Sequence, residues 1–286
     1  MRFDVLTLFP EMFSNYLGES LFHQSIVNGL VSVGLHSMRD WTYDRHRTVD
    51  DRPFGGGPGM VLKVEPVVDC VEAVQHGNFG ENSLEFSCKT ENFDPESIPF
   101  EDSIHSQPGH LVMLTPAGRV FRQTVAEELV QHPRLVFLCG RYEGFDDRVR
   151  QILCPDEISI GDYVLNGGEV ASMVMMEAII RLIPGVLGDE MSSVTDSFSS
   201  GNRFLESAQF TRPRVFRGLE VPEILFSGHH ANIEEWHREE NLKLTKNRRP
   251  DLIPPGFEEE EAAKKKKKRR TRKVKSEETD IENQNI

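Results

Sequence analysis

The chain has 286 residues, of which 38% are hydrophobic and 28% charged, and its formal net charge at pH 7 is −13. This length and composition fit one large folded domain or two smaller ones. The four cysteines form no C-x-x-C pair and no apolar run is long enough to cross a bilayer, so neither a zinc site, a disulfide framework nor a membrane-spanning segment is indicated.

Strand and helix patterns alternate from the N-terminus onward. The first strand is predicted at Phe3–Leu8, which leaves no room for a signal peptide, so a cytoplasmic location is expected. One or two helices are predicted at Pro10–Leu30, a second strand at Val31–His36, and a helix at Val64–Val74, where apolar residues recur at helical spacing. The stretch of about residues 77–109 is polar and lacks periodicity, which predicts an inserted surface loop.

Three short apolar runs each end at a glycine-rich loop. Such runs are typical of buried parallel strands, and they are Leu111–Leu114, Leu135–Leu138 and Ile158–Ile160. Helices are predicted at Phe121–Val130, Asp146–Leu153 and Gly168–Ile183. This alternation predicts an α/β fold with a mostly parallel sheet.

The loops that follow these strands are Thr115–Arg119, Cys139–Gly144 and Gly161–Glu169. Because glycine has no Cβ, each loop allows the backbone to approach a ligand closely. The carboxyl ends of parallel strands meet at one edge of a sheet, so the three loops predict one cofactor pocket. The alternative is a set of tight turns in a crowded protein. None of the loops matches the dinucleotide or P-loop pattern.

Composition divides the chain into four parts. We expect a cofactor-binding domain at residues 1–187, a linker rich in Ser, Asp and Gly at 188–202, and a small helical domain at 203–256, with its clearest helix at Ala231–Leu244. Residues 257–286 carry runs of glutamate and then lysine and arginine, which are usually disordered. The alternative is a nonspecific arm that attracts RNA and weakens with salt.

Four blocks of sequence carry a resemblance to a known family. They are Leu6–Phe13 (LTLFPEMF), Asp44–Met60 (DRHRTVDDRPFGGGPGM), Ser159–Glu169 (SIGDYVLNGGE) and Ile183–Gly188 (IPGVLG). Blocks of this length in this order are highly specific. The chain resembles the bacterial tRNA (guanine-N1)-methyltransferases, which belong to the knotted SPOUT class of S-adenosylmethionine-dependent enzymes, up to Pro250.

This resemblance implies both a fold and an activity. The implied fold is α/β, with a mostly parallel sheet and a C-terminal deep trefoil knot, followed by a small all-helical tRNA-binding domain and the charged tail. The implied activity is methyl transfer from S-adenosylmethionine to N1 of the guanosine immediately 3′ of the anticodon, which prevents frameshifting. A homodimer with a composite active site is expected, with Asp196 of one subunit completing the pocket of the other.

The chemistry needs a group that removes the N1 proton and a cation that stabilises charge on O6. A carboxylate suits the first task and an arginine fork the second. The resemblance places Asp196 at the general base and Arg181 at the arginine. Taken alone, Asp196 reads as a turn or capping residue, and Arg181 as a cation at a helix C-terminus.

The family's cofactor positions fall on the glycine loops. The resemblance implies that S-adenosylmethionine contacts Pro116, Gly118, Gly140, Tyr142, Glu143, Ile160, Gly161, Asp162, Tyr163, Val164, Leu165, Gly167 and Gly168. For Glu143 two interpretations stay open, a hydrogen bond to the cofactor ribose and, as in the family, a ligand of Mg²⁺. One carboxylate is a weak metal signature, because this ion takes several oxygens and waters.

The net negative charge does not exclude tRNA, because phosphate contacts need only a local basic field. Basic residues cluster between Arg39 and Arg52, and again near Arg212. The expected RNA contacts are Arg45, His46, Asp50 and Arg212. Alternatively, arginines and aspartates of the first cluster pair with one another and the segment is mainly structural, including at a dimer interface.

Two departures from the family pattern qualify these expectations. Ala117 stands where the family commonly has glutamine, and the helix that contains Trp236 carries several glutamates. The alanine puts a cofactor contact in doubt. The glutamates put part of the expected tRNA contact in doubt. The sequence leaves two other functions open, a methyltransferase with another target base in RNA and a catalytically silent RNA-binding scaffold.

Overall fold

The computed structural model describes residues 1–87, 108–188, 195–199 and 203–257. Nearly all of the charged tail (258–286), most of the linker and much of the polar insert (88–107) lie outside these ranges. The expectations about those segments therefore stay predictions. The chain separates into two compact units, Met1–Ser193 and Val194–Ile286.

The first unit is built on a six-stranded sheet. In chain order, the strands of this unit are β1 Arg2–Thr7, β2 Ser32–Ser37, β3 Asp50–Asp51, β4 Val61–Leu62, β5 Leu84–Phe86, β6 His110–Val120, β7 Arg134–Cys139 and β8 Asp156–Ser159. The order across the sheet is β5-β2-β1-β7-β6-β8, while β3 and β4 form a separate antiparallel pair. Only β5 is antiparallel to its neighbour in the large sheet. The predicted α/β fold with a mostly parallel sheet is confirmed.

Helices cover both faces of this sheet. Those of the first unit are α1 Ser14–Leu17, α2 Ser20–Val27, α3 Val64–Gln75, α4 Gln123–Leu129, α5 Asp147–Leu153 and α6 Glu169–Ile180. Alternate side chains of β1 enter different cores, Phe3 and Val5 one core and Leu6 the other, because successive residues of a strand point to opposite faces. Each fully buried side chain of this kind contributes about 1.5–3 kcal/mol.

Strand β6 continues through a segment that the sequence predicts as a loop. On the β8 side, Leu114 and Arg119 both pair with Ile158, so the four residues between them bulge out before pairing resumes. A Cβ on Gly118 would lie 2.4 Å from the main chain of Glu157 and Ile158, and this close approach explains the glycine. The prediction of a strand that ends at Leu114 is therefore wrong.

The polar insert is not wholly a surface loop, because β5 lies within it and pairs with β2. Three residues are too few for a periodic signal, so the sequence does not reveal the strand. Glu85 of β5 accepts hydrogen bonds from both terminal nitrogens of Arg2, at 2.6 and 2.7 Å. The insert thus begins as an edge strand that carries a charge partner for the sheet.

Arg2 belongs to a buried ionic network centred on Asp4. The carboxylate of Asp4 accepts hydrogen bonds from Arg2 (2.7 Å), from Arg134 (2.8 Å) and from His36 (2.8 Å), and the four side chains are almost fully buried. Burial alone would raise the pKa of Asp4, but the hydrogen bond from His36 and the charge of Arg2 hold the pKa well below its usual range. Three neighbouring strands are joined at this point.

The second unit contains α7 (His230–Arg248) and a short hairpin, β9 Val215–Phe216 with β10 Leu219–Glu220. The amide nitrogen of Leu205 donates to the Thr245 hydroxyl at 2.9 Å, which holds the preceding segment against α7. The hairpin corrects the all-helical prediction. Its turn residues Arg217 and Gly218 both have positive φ, as a two-residue hairpin turn requires.

Candidate cofactor-binding site

A cavity of about 440 Å³ lies at the carboxyl ends of β7 and β8, beside the bulge in β6. Its wall contains the following residues of the sequence prediction: Pro116, Gly140, Tyr142, Glu143, Ile160, Gly161, Tyr163, Val164, Leu165, Gly167 and Gly168. Gly118 and Asp162 are not part of this wall, and Gly118 instead packs on the main chain of β8. The volume and the mixture of main-chain edges, aromatic rings and aliphatic side chains suit a nucleoside-sized ligand.

Two of the glycine loops are joined to each other by main-chain contacts. The amide nitrogen of Gly168 donates to the carbonyl oxygen of Gly140 at 2.9 Å, and Arg141 and Gly167 form an antiparallel bridge. A Cβ on Gly168 would lie 2.8 Å from the Cα of Cys139, so only glycine allows this approach. The cavity wall is therefore one connected surface.

The arginine-rich segment Asp44–Met60 ends against this wall. The amide of Glu143 donates to the Met60 carbonyl at 3.0 Å. Just beyond the segment, the amide of Leu62 donates to the Gly144 carbonyl, and the amide of Asp146 donates to the Leu62 carbonyl, both at 2.9 Å. The segment predicted to contact RNA is thereby joined at its end to the loop that carries Glu143.

Arg141 and Glu169 form an ion pair beside the cavity that the sequence analysis did not single out. Glu169 is 1% exposed, and its Oε1 accepts a hydrogen bond of 2.7 Å from the Thr7 hydroxyl. Its Oε2 lies 2.9 Å from Nε of Arg141 in an ion pair, although neither atom has hydrogen-bond geometry. Two features of the sequence could have pointed to this pair: Arg141 stands within a glycine loop, and Glu169 stands in the first turn of an apolar helix.

The neighbouring cysteine is a packing residue. Cys139 is fully buried, and burial together with the charge of Glu169 raises the pKa of its thiol. A thiol in this state is a poor nucleophile. Cys139 is therefore not a candidate nucleophile.

The two predicted catalytic residues lie in different units. Arg181 is the half-buried C-cap of α6. It lines a shallow apolar groove of about 420 Å³ with Tyr16, Val170, Met173, Val174, Glu177 and Ala178. Asp196 is half-buried in the second unit, where its carbonyl accepts a 3.2 Å hydrogen bond from the Ser199 amide. That the two side chains act in one site stays a prediction.

The predicted RNA contacts differ in exposure. Arg45, His46 and Arg212 are exposed, whereas Asp50 is half-buried in β3. The carboxylate of Asp44 accepts bonds from the amides of His46 (3.1 Å) and Thr48 (2.9 Å), so this aspartate shapes the turn. The segment is thus partly structural while it presents cationic side chains to solvent.

Among the side chains that the structure describes, the cavity wall holds no group of three metal ligands close enough together to share an ion. Among the described residues, the group of three ligand side chains close enough to hold an ion is Asp4, His36 and Glu85, and the arginines of the sheet network already bind it. Glu143 therefore offers a single exposed carboxylate. Within the part of the chain described, no helix combines the length and apolar character needed to cross a membrane.

Comparisons with known proteins converge on one family. The family model described as tRNA (Guanine-1)-methyltransferase TrmD matches residues 1–98 and 94–255. A tRNA (guanine-N(1)-)-methyltransferase of Rhodopirellula baltica is 51% identical over 255 residues, which cover 89% of this chain and 94% of the relative. Relatives of the same name from Dehalococcoides mccartyi and Listeria monocytogenes are 48% and 45% identical over 253 residues, which cover 88% of this chain and 90% and 92% of theirs.

Proposed function

The chain belongs to the tRNA (guanine-1)-methyltransferase TrmD family and is a tRNA (guanine-N1)-methyltransferase, and from that premise we propose how and where it acts. The methyl donor is S-adenosylmethionine, and the acceptor is N1 of the guanosine immediately 3′ of the anticodon. The observation that carries the proposal is the cavity at the carboxyl ends of β7 and β8 and the bulge of β6, whose wall contains most of the positions where the family resemblance implies cofactor contacts. S-adenosylmethionine supplies an electrophilic methyl group on a sulfonium sulfur.

The residues that hold this donor come from the two joined glycine loops. Main-chain groups between Ile160 and Leu165 meet the adenine edge, and the Tyr142 and Glu143 side of the cavity takes the ribose. The fit rests on the volume of about 440 Å³ and on the connection between Gly140 and Gly168. A rigid cavity of this kind orients the methyl group toward the base.

Asp196 acts as the general base and Arg181 stabilises the guanine oxygen. The carboxylate takes the N1 proton, the new N1–methyl bond forms as the sulfonium–methyl bond breaks, and S-adenosylhomocysteine leaves. The negative charge that develops on O6 is neutralised by the guanidinium, whose charge is permanent. The half-buried position of both residues supports these roles, because partial exclusion of water strengthens such interactions.

The active form is a homodimer in which Asp196 of one subunit completes the pocket of the other. The support is the outer face of α6, where Val170 and Val174 are 49% and 45% exposed beside the groove that contains Arg181. Exposed apolar side chains in a contiguous groove mark protein interfaces. A second copy covering this face would shield them and bring its own residues close to Arg181.

Transfer RNA meets the enzyme through local positive charge. Arg45 and His46 lie on the exposed segment that ends at the cavity wall, and Arg212 is exposed in the second unit. Asp50, within β3, contributes through the segment that it helps to shape. Such contacts position the nucleic acid without reading its sequence.

Three further parts of the proposal rest on family membership. The glycine loops belong to a deep trefoil knot, methylation guards the reading frame, and the chain works in the cytoplasm. For Mg²⁺, Glu143 is the side chain that would contribute to binding, since this ion commonly retains water and takes substrate oxygens. No chemical step is assigned to the ion.

The proposal is tested with two tRNA transcripts that differ only in the nucleotide immediately 3′ of the anticodon, guanosine or adenosine. Labelled methyl from S-adenosylmethionine should enter the guanosine transcript alone. Label in both transcripts would place the target base elsewhere in the RNA. Label in neither, with the cofactor still bound, would support the silent scaffold instead.

A further inference from the structure

Among the residues that the structure describes, Arg141 has an acidic partner on only one side of its guanidinium. On the Nε side lies Glu169, at 2.9 Å. The terminal nitrogens contact weaker acceptors: Nη1 donates to the carbonyl of Asn166 at 3.4 Å, and Nη2 to the thioether sulfur of Met12 at 3.2 Å. A thioether is a weak acceptor and the first bond is long. Arg141 lines the cavity and is 18% exposed there.

Other arginines of this protein show what a fully bonded guanidinium looks like. Arg2 binds Asp4 on one side and Glu85 on the other. Arg119 bridges Asp156 (2.6 Å) and Glu128 (2.7 Å) in the same way.

The guanidinium of Arg134 donates from Nε to Asp4 at 2.8 Å and from Nη2 to the main-chain carbonyl of Val74 at 2.6 Å. Compared with the terminal nitrogens of these three arginines, those of Arg141 have a long bond to a carbonyl and a weak thioether acceptor. They belong to a residue of the cavity wall.

We propose that Arg141 is the receptor for the carboxylate of S-adenosylmethionine, and that Glu169 is the positioning residue that aims it. A carboxylate binds a guanidinium through two charge-assisted hydrogen bonds, which are stronger than the bonds that the terminal nitrogens make here. The inference rests on the proposed function, because it assigns one group of the proposed cofactor to one residue of the proposed cavity.

A chain of contacts that runs from Phe9 through Thr7 to Glu169 fixes the arginine. The amide of Phe9 donates to the hydroxyl of Thr7 at 3.0 Å, and this hydroxyl donates to Glu169. The ring of Phe9 lies under the guanidinium, 4.6 Å from its carbon. Glu169 stands in the first turn of α6, where the helix dipole favours an anion. Contacts at the Nε side and one face therefore leave the terminal nitrogens as the side that a ligand can take.

The test compares two natural ligands that differ by one carboxylate, S-adenosylmethionine and decarboxylated S-adenosylmethionine. Binding of each to the full-length protein is measured by calorimetry without tRNA. Wild type should bind the carboxylate-bearing ligand more tightly. Arg141→Gln should weaken S-adenosylmethionine about tenfold or more and change the decarboxylated ligand by less than about twofold.

Three further variants distinguish the orientation of Arg141 from a general effect on protein folding. Arg141→Lys keeps the charge but loses the planar fork, and should give part of the same selective loss. Glu169→Gln leaves the arginine in place without its ionic partner, and should also weaken S-adenosylmethionine selectively. Arg249→Lys is the matched control, since this arginine of the second unit pairs with Asp251 and is not part of the cavity wall. It should leave the ratio of the two dissociation constants unchanged.

The outcomes are distinct. Equal binding of the two ligands by wild type, or an equal loss of both in the Arg141 variants, would overturn the inference while leaving the proposed function standing. A fall in tRNA affinity with an unchanged ligand ratio would assign Arg141 to an RNA phosphate and overturn it too. Failure of wild type to bind either ligand would instead contradict the proposed cofactor site itself.

Discussion

The amide nitrogen of Gly168 lies 2.9 Å from the carbonyl oxygen of Gly140, and this hydrogen bond joins the loop that follows β7 to the loop that leads into α6. Both loops line the cavity. The shape of this cavity therefore depends on two glycines that are distant in sequence and adjacent in space.

Gly168→Ala tests this dependence. The added Cβ would lie 2.8 Å from the Cα of Cys139, so the main chain must move. We expect the affinity for S-adenosylmethionine to fall about tenfold or more, and the free energy of unfolding to fall by about 1–3 kcal/mol, the usual cost of overpacking. Calorimetric titration and urea unfolding measure the two effects. Gly188→Ala, at a position with open space around it, is the matched control and should change neither.

Asp4→Asn should destabilise the first unit. The carboxylate is fully buried and shared by Arg2 and Arg134, so its loss leaves buried positive charge without that counter-ion, at a cost of about 3–5 kcal/mol. Urea unfolding at neutral pH measures the change. The same substitution at the exposed Asp251 is the control.

The low pKa of Asp4 also predicts a dependence of stability on pH. In the unfolded chain an aspartate has a pKa of about 3.9, and in the folded chain the pKa of Asp4 is lower. The contribution of Asp4 to the free energy of unfolding is therefore complete above the pKa of the unfolded chain. It is lost as pH falls through the pKa of the folded chain. Wild type should lose stability on acidification below about pH 4 more steeply than Asp4→Asn. Parallel curves would show that Asp4 does not supply this effect.

Asp196→Asn should abolish methyl transfer and spare cofactor binding. The amide keeps the size of the side chain but cannot accept the N1 proton, and general-base removal costs roughly 10²–10⁴-fold in rate. Single-turnover kinetics with tRNA and calorimetry with S-adenosylmethionine separate the two quantities. Asp251→Asn again matches the change of charge within the same unit. Near-normal turnover by the Asp196 variant would remove this residue as the base.

Mixed dimers test the composite site. If Arg181 of one subunit works with Asp196 of the other, an Arg181→Ala subunit paired with an Asp196→Asn subunit contains one site with both residues intact. Each variant alone should be inactive, while an equal co-expressed mixture should regain roughly a quarter of wild-type activity, as random pairing in a two-fold dimer requires. Absence of any recovery in verified heterodimers would place both residues in one subunit.

Much of the first unit follows from its sequence, because apolar runs bounded by glycine mark the buried strands. The runs ending at Leu138 and Ile160 correspond to β7 and β8 within one residue at that end. Strand β5 escapes prediction because three residues carry no measurable period, and its pairing depends on β2, which is distant in sequence. The continuation of β6 beyond Leu114 is hidden for a similar reason, since only the partner strand shows that pairing resumes at Arg119.

The candidate site likewise has features that the sequence predicts and features that it does not. Glycine density predicts which loops line the cavity, since close backbone approach excludes a Cβ. The pairing of Arg141 with Glu169 depends on tertiary contact between residues that local patterns treat separately, an arginine in a loop and an acid at a helix start. Asp196 and Arg181 were assigned by family resemblance, and their joint action awaits the variants above.

The most direct measurement identifies the nucleoside that the purified protein makes. A tRNA transcript with guanosine 3′ of the anticodon is incubated with protein and S-adenosylmethionine, digested to nucleosides and analysed by mass spectrometry against methylguanosine standards. We predict 1-methylguanosine in a yield close to one per tRNA, with no other methylated nucleoside. A product methylated at another guanine atom, at the ribose or on another base would contradict the account.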